Sequence, residues 1–562
     1  EAANVFLRET EHLQEACLLT LLEDGWEDHL KHSIYGLVTA GIDIFPIIMS
    51  LNDLTGEHRN ADKCLNIAVK SLELMGVPSA KHFIALTTDN PTTMQSFRRK
   101  FQLRFFWVLT FACFLHSLNT LIGEICSYPL IKKIITKANR TVTFFNSSHY
   151  WGGQLKEEAK RLNVTRGLKK NCESRWYALI LLCLSVTIHR QPLSSICIRP
   201  DAQKKTNGLS PAAPDIITIV LNTPEFWPLL AQLTRIAKPI VDALGNCESR
   251  QATLADCMLQ LICCARTMSQ MVLEEGEDAG FLAHVKSMFD RCFKLIATPI
   301  HWLALFLHPL CRKLAVLSTV NGYSIDLMVE TALKIAQQWK WTSTKAMQLK
   351  DDLRAYYQAR SPFAGGKGDA RSWWESVPKE NHEGIRTLAI VLASVVPHSA
   401  DVKRLFSDLG GIQTPRRNLL AVKTMEKTGK IRSRLNYELH ERARAAQKSK
   451  HRKHGHMHAM EAAGINTDLA KDLDNPITWI PPLDGNDGEG YEDIVEKAVQ
   501  DLQPVLNDEE PVILPAGSVI AGQIVDFAEL ERIERGERAG IEEEEDEIVG
   551  EAGGGSWNIE DL

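Results

Sequence analysis

The spacing of apolar and polar positions over the first hundred residues predicts a run of strands broken by one helix. Residues 16–22 read Ala-Cys-Leu-Leu-Thr-Leu-Leu and are stopped by Glu23, Asp24 and Gly25. Such a run predicts a buried strand that leaves a carboxylate at its end. Residues 33–42 and 44–51, rich in Ile, Val, Tyr and Thr, predict two more strands. From residue 61 to 75 the period changes: Leu65, Ala68, Val69, Leu72 and Met75 recur three or four apart, and Gly76 with Pro78 closes the helix. Residues 82–88 return to strand character and deliver Asp89, and residues 105–114 predict a further strand passing into a helix.

Strand, strand, strand, helix, strand, with an acid after the first strand and another after the fourth, is the order of an α/β chain with a ribonuclease H-like mixed sheet. Asp24 and Asp89 would then meet at neighbouring strand ends. Magnesium takes oxygen ligands in near-octahedral geometry, and two metals gripping the attacking and leaving oxygens of a phosphodiester need carboxylates converging in this way. Read locally, each is also an ordinary turn acid, since aspartate is common where strands stop.

From about residue 211 to 347 strand signals give way to helical spacing, as in residues 256–271, 280–293, 301–317 and 324–341. This predicts an all-helical insertion that interrupts the sheet core. With 562 residues and 44% hydrophobic content the chain can bury large cores. No run is apolar and charge-free enough to span a bilayer, so no membrane partner is expected. The thirteen cysteines contain no CxxC pair, which favours reduced thiols and offers no structural zinc site. Cys113 and His116 flank a predicted strand-to-helix junction; bracing that junction accounts for them without the further ligands a zinc ion needs.

Charge is divided along the chain. Residues 461–562 hold 28 acidic against 5 basic side chains, and residues 1–460 hold 59 basic against 42 acidic, so a tail of net −23 follows a body of net +17. A body of that sign attracts a polyanion and gains free energy from counterion release on binding it. Residues 448–458, with four Lys and Arg and four His, read as a nuclear-import or phosphate-contact patch or as a solvated linker. Beyond residue 481 the chain is rich in Gly, Pro and acids, with an unbroken acidic run over residues 542–547; too few large apolar residues remain to offset the entropy of ordering it, so disorder is expected, with a short helix near residues 525–538. Such a tail can fold back on the basic body and compete with DNA.

Several phrases resemble, in order, landmarks of the hAT superfamily of cut-and-paste DNA transposases: Asp24-Gly25-Trp26; Thr88-Asp89-Asn90 before a helix; residues 113–119; Arg175-Trp176; Trp373-Trp374; and residues 399–407, which are similar to the hAT C-terminal dimerisation segment. The resemblance implies that Asp24, Asp89 and a third acid bind two Mg²⁺ or Mn²⁺ for strand cleavage and transfer, and that the third acid lies on a helix after the insertion. It also implies that Arg175 and Trp176 contact an unstacked base, that Trp373, Trp374, Leu405 and Phe406 build a dimerisation surface, and that the protein acts on DNA in the nucleus as a homodimer or higher oligomer.

The pattern breaks at two places. Where the family has an acid directly before the paired aromatics, this sequence has Arg371 and Ser372; Glu375 lies about one turn after Ser372 and Asp369 one turn before it. Glu375 is taken as the candidate third acid. The family's zinc-binding module ahead of the first strand is not seen here, as in a fragment or a decayed copy. The expected organisation is residues 1–175 as the first part of the core, 176–347 as the helical insertion, 348–440 as the return to the core with the dimerisation segment, 441–480 as a basic linker and 481–562 as the acidic tail. Two functions follow: a hAT-like DNA transposase, or a catalytically inactive, domesticated or decayed relative that serves as a dimeric DNA-binding or scaffold protein.

Overall fold

The computed structural model describes residues 2–28, 30–41, 44–170, 176–205, 210–249, 251–316, 324–413 and 420–445. Within them the chain forms two compact units: one from residues 1–114, 246–259 and 295 onward, the other from residues 115–245 and 260–294.

The first unit is built on a five-stranded mixed sheet of order β3-β2-β1-β4-β5, with β1 Leu19–Glu27, β2 Ser33–Gly41, β3 Ile44–Asp53, β4 Phe83–Thr88 and β5 Leu109–Ala112. β2 runs antiparallel to both β1 and β3, while β1, β4 and β5 are parallel. Successive side chains on a strand point to opposite faces, and both faces are covered. Leu19, Leu21, Leu37, Ile47 and Met49 pack beneath helices Ala61–Leu74 and Thr92–Arg104. Their strand neighbours Leu22, Val38 and Ile48 meet Val402, Leu405, Phe406 and Leu409 of helix Ala400–Ile412 on the other side. Double coverage explains why these strands read as apolar runs rather than as alternating ones.

Helix Ala61–Leu74 matches its predicted span. Asn60 caps it by accepting from Lys63 N, Met75 ends it, and Gly76 follows at φ +71°, a conformation glycine adopts without Cβ strain. Two strand expectations are corrected. β1 does not stop at Asp24 but runs to Glu27, because its antiparallel ladder with β2 continues through Gly25↔Tyr35 to Glu27↔Ser33. The predicted strand over residues 105–114 shrinks to Leu109–Ala112: Phe105 terminates the preceding helix by donating to the Phe101 carbonyl, and Phe114 already begins helix Phe114–Cys126.

Gly36 on β2 has a packing role. A Cβ there would lie 2.9 Å from Cζ of Phe406, so the absent side chain lets that ring lie on the sheet. Trp26 stacks on the same ring at 5.5 Å between centroids. Helix Val422–Ala445 crosses β3, and helix Ala2–Glu15 packs against it, where the Lys430 ammonium sits 5.2 Å from the centroid of the Phe6 ring.

The second unit is helical. Helices Pro129–Ser147, His149–Arg161, Trp176–Ile188, Arg190–Cys197 and Pro214–Leu221 pack in it. Polar ties hold further parts of it together: Arg291 pairs with Glu124, and Gln232 exchanges hydrogen bonds with the Asp278 backbone. Helices Pro299–Phe306 and Ile325–Gln338 lie within the first unit. No single helix among the described residues is long and apolar enough to cross a membrane.

Candidate functional site

Where β4 ends beside the middle of β1, two of the acids that the sequence singled out, Asp24 and Asp89, come together with one that it did not. The parallel register aligns Glu23 with Thr88, so Asp24 and Asp89 occupy the next positions on adjoining strands. Their side chains find different company. One Asp24 carboxylate oxygen accepts from Ser399 Oγ at 2.8 Å, and Lys403 Nζ is 3.8 Å from the same oxygen; both partners come from the start of helix Ala400–Ile412, on one face of the sheet. Its other oxygen accepts from the Gly25 N–H at 2.9 Å. Asp89 instead lies 3.8 Å from Arg59 Nη2. That guanidinium sits 4.2 Å from the centroid of the Tyr35 ring, on the face covered by helix Ala61–Leu74.

Glu23, one residue before Asp24, projects to the Arg59 face and is 1% exposed. Burial pushes its carboxyl up to about 8, against the pull of Arg59; the neighbouring charges of Asp89 and Asp24 push the same way as burial, and a hydrogen bond with Cys64 opposes them. At neutral pH Glu23 is therefore protonated, and Arg59 is left to Asp89. Arg98 completes this side by donating to Thr88 Oγ1 at 2.7 Å, to the Asp89 carbonyl at 2.7 Å and to Asn90 Oδ1 at 2.6 Å, which ties the segment after β4 to helix Thr92–Arg104.

The junction before helix Ala400–Ile412 is equally fixed. Ser399 donates through N and Oγ to Cys113 Sγ at 3.4 Å, so Cys113 braces the end of β5, as the structural reading of that residue expects. His398 is fully buried and bonds the Ser249 carbonyl at 2.9 Å; burial lowers its pKa to about 4 and keeps it neutral. At the far end of β1, Asp28 accepts from Gln413 Nε2 and from the backbone N–H groups of Leu30 and His32, each at 2.8 Å, and joins the β1–β2 turn to the end of the same helix.

Glu375 does not join this group. It lies on the short helix Ala370–Ser376, where Arg371 Nε donates to it at 3.1 Å, and its side chain is 47% exposed. Asp369 caps the same helix by accepting from Ser372 N. Among the described residues no group of three or more His, Cys, Asp or Glu side chains is placed to hold a metal ion.

The four residues of the dimerisation expectation are all packed within the chain. Trp373 and Trp374 are 6% and 0% exposed, stacked among Tyr356 and Phe363, and Trp374 Nε1 donates to the Leu307 carbonyl at 2.7 Å. Leu405 and Phe406 are 7% and 5% exposed against the sheet. All four pack against residues of the same chain. Arg175 lies outside the described residues, and of Trp176 only the backbone, at the start of helix Trp176–Ile188, is described.

Sequence reasoning missed Glu23, Arg59, Ser399 and Lys403 as parts of this cluster. Glu23 had a signal, because an acid continuing an apolar run toward a second acid must be buried or paired. Arg59 had none, since the loop that carries it meets Asp89 only through the fold. No family model matches the sequence, and no curated protein matches it.

Proposed function

We propose that the chain is a transposase-derived DNA-binding protein in which a ribonuclease H-like sheet persists and its candidate acids act as internal counter-ions. The sheet order, with β2 antiparallel and β1, β4 and β5 parallel, supports the ribonuclease H-like reading, as does the adjacency of Asp24 and Asp89 in register. One observation carries the rest: each candidate acid is matched to its own cation, Asp24 to Lys403, Asp89 to Arg59 and Glu375 to Arg371. Two divalent ions need carboxylate oxygens converging on shared points. Here the partners of Asp24 and Asp89 stand on opposite faces of the sheet, so the residues do not fit a two-metal centre, and no cleavage step is assigned to them.

DNA binding rests on the net charge of +17 over residues 1–460. Fluorescence anisotropy with a random-sequence duplex tests it. Affinity is expected to fall at least tenfold between about 50 and 200 mM salt, as phosphate contacts dictate. Absence of binding at the lower salt would overturn the reading and leave a scaffold without nucleic acid.

A further inference from the structure

The last described helix, Val422–Ala445, carries two large apolar side chains in solvent one turn apart: Leu435 is 47% and Leu439 61% exposed. Basic groups surround them. Glu438 serves both Arg434, at 3.2 Å, and Arg442, at 3.8 Å, so one carboxylate is shared by two guanidinium groups, and Arg432 reaches Asp408 only at 3.3 Å with nearly half its surface open. Residues 422–445 hold seven Lys and Arg against three acids, and residues 446–458 add four more with no acid.

A good occupant of this face brings negative charge and apolar side chains together. DNA brings only the charge. A second copy of the same helix brings like charge, which costs free energy on approach. One segment of this chain supplies both: Ile524, Phe527, Leu530 and Ile533 recur every third residue among Asp526, Glu529, Glu531 and Glu534, with Arg532, Arg535 and Arg538 in the same stretch, and the unbroken acidic run of residues 542–547, which carries most of the negative charge, follows. Phe527 and Leu530, three positions apart, match the one-turn separation of Leu435 and Leu439. About 80 residues separate it from Ala445; a chain of that length has a random-coil r.m.s. span of roughly 50 Å, which lets its ends meet at about millimolar effective concentration.

We propose that residues 522–547 dock on the Leu435/Leu439 face of helix Val422–Ala445 in the same molecule, with Phe527 and Leu530 against the two leucines and the flanking acids on Arg432, Arg434 and Arg442. The docked tail withholds the cations of that helix from an external polyanion. This consequence rests on the DNA-binding reading, whereas the docking does not.

Zero-length carbodiimide coupling of the full chain, followed by peptide mass spectrometry, tests the docking with no DNA present. An equal mixture of ¹⁵N-labelled and unlabelled chain is used at about 50 mM salt, where the Debye length still spans the contact. Amide links are expected between Lys423, Lys427, Lys448, Lys450 or Lys453 and acids within residues 526–547, in peptides of a single isotope. The exposed double variant L435D/L439D is expected to cut their yield about fivefold or more, as is about 0.5 M salt, through lost apolar contact and screening respectively. Absence of the links, a yield unchanged in L435D/L439D, or links of mixed isotope, which would mean a second copy, each overturns the proposal. If DNA binding fails while the links form, the docking stands and the functional reading falls.

Discussion

Glu23 is the residue whose setting departs furthest from its behaviour in water. Its folded pKa of about 8 lies above the ordinary 4.5, so the unfolded chain loses this proton first as pH rises. The protonated side chain's contribution is complete below about 4.5 and is lost progressively from there to about 8. Glu23→Gln is therefore expected to leave thermal stability nearly unchanged at pH 4 and to raise it progressively toward pH 8, by an amount on the order of a few kcal/mol. Melting curves of both proteins across that range check this; a difference independent of pH would contradict it. Ser399→Ala removes a buried donor from a carboxylate and is expected to cost roughly 1–3 kcal/mol in denaturant unfolding. Gly36→Ala places a methyl against the Phe406 ring and is expected to cost about 1–3 kcal/mol, most of it recovered when Phe406→Leu is added. At this scale the sequence exposed Asp24 and Asp89 because punctuation follows them, but it could not show that Asp24 meets Ser399 and Lys403, more than 370 positions away.

Among the elements, the helix over residues 61–74 and the first four strands were legible because apolar period and turn residues agree. The failures share a cause: pairing and packing with distant segments override local punctuation. β2 carries β1 past Gly25, and the aromatic cluster of Phe97, Phe101 and Phe105 keeps helical packing where β-prone residues suggested a strand. Trp373 and Trp374 show the same effect. The resemblance to a dimerisation segment implied an interface role for them, and the helix that holds them packs both around Tyr356. Trp374→Ala is accordingly expected to lower stability by roughly 3–5 kcal/mol. Whatever the oligomeric state of the wild type in sedimentation, it should be unchanged in the folded variant; a shift toward smaller species would restore the interface role.

On the scale of the whole molecule, the sequence divides charge between body and tail, and the structure distributes individual acids among individual cations. The first is legible by counting. The second depends on which face each strand residue takes, and that is set by the register of β1 with β4 and by helices contributed from the far end of the chain. Together they describe a body of net positive charge in which Asp24, Asp89 and Glu375 are each held in an ion pair within the chain. Nicking of supercoiled plasmid in the presence of Mg²⁺ or Mn²⁺ tests this most directly. The account predicts that wild type converts no more plasmid than buffer does. Metal-dependent nicking by the wild type that disappears in Asp24→Ala or Asp89→Ala would contradict it.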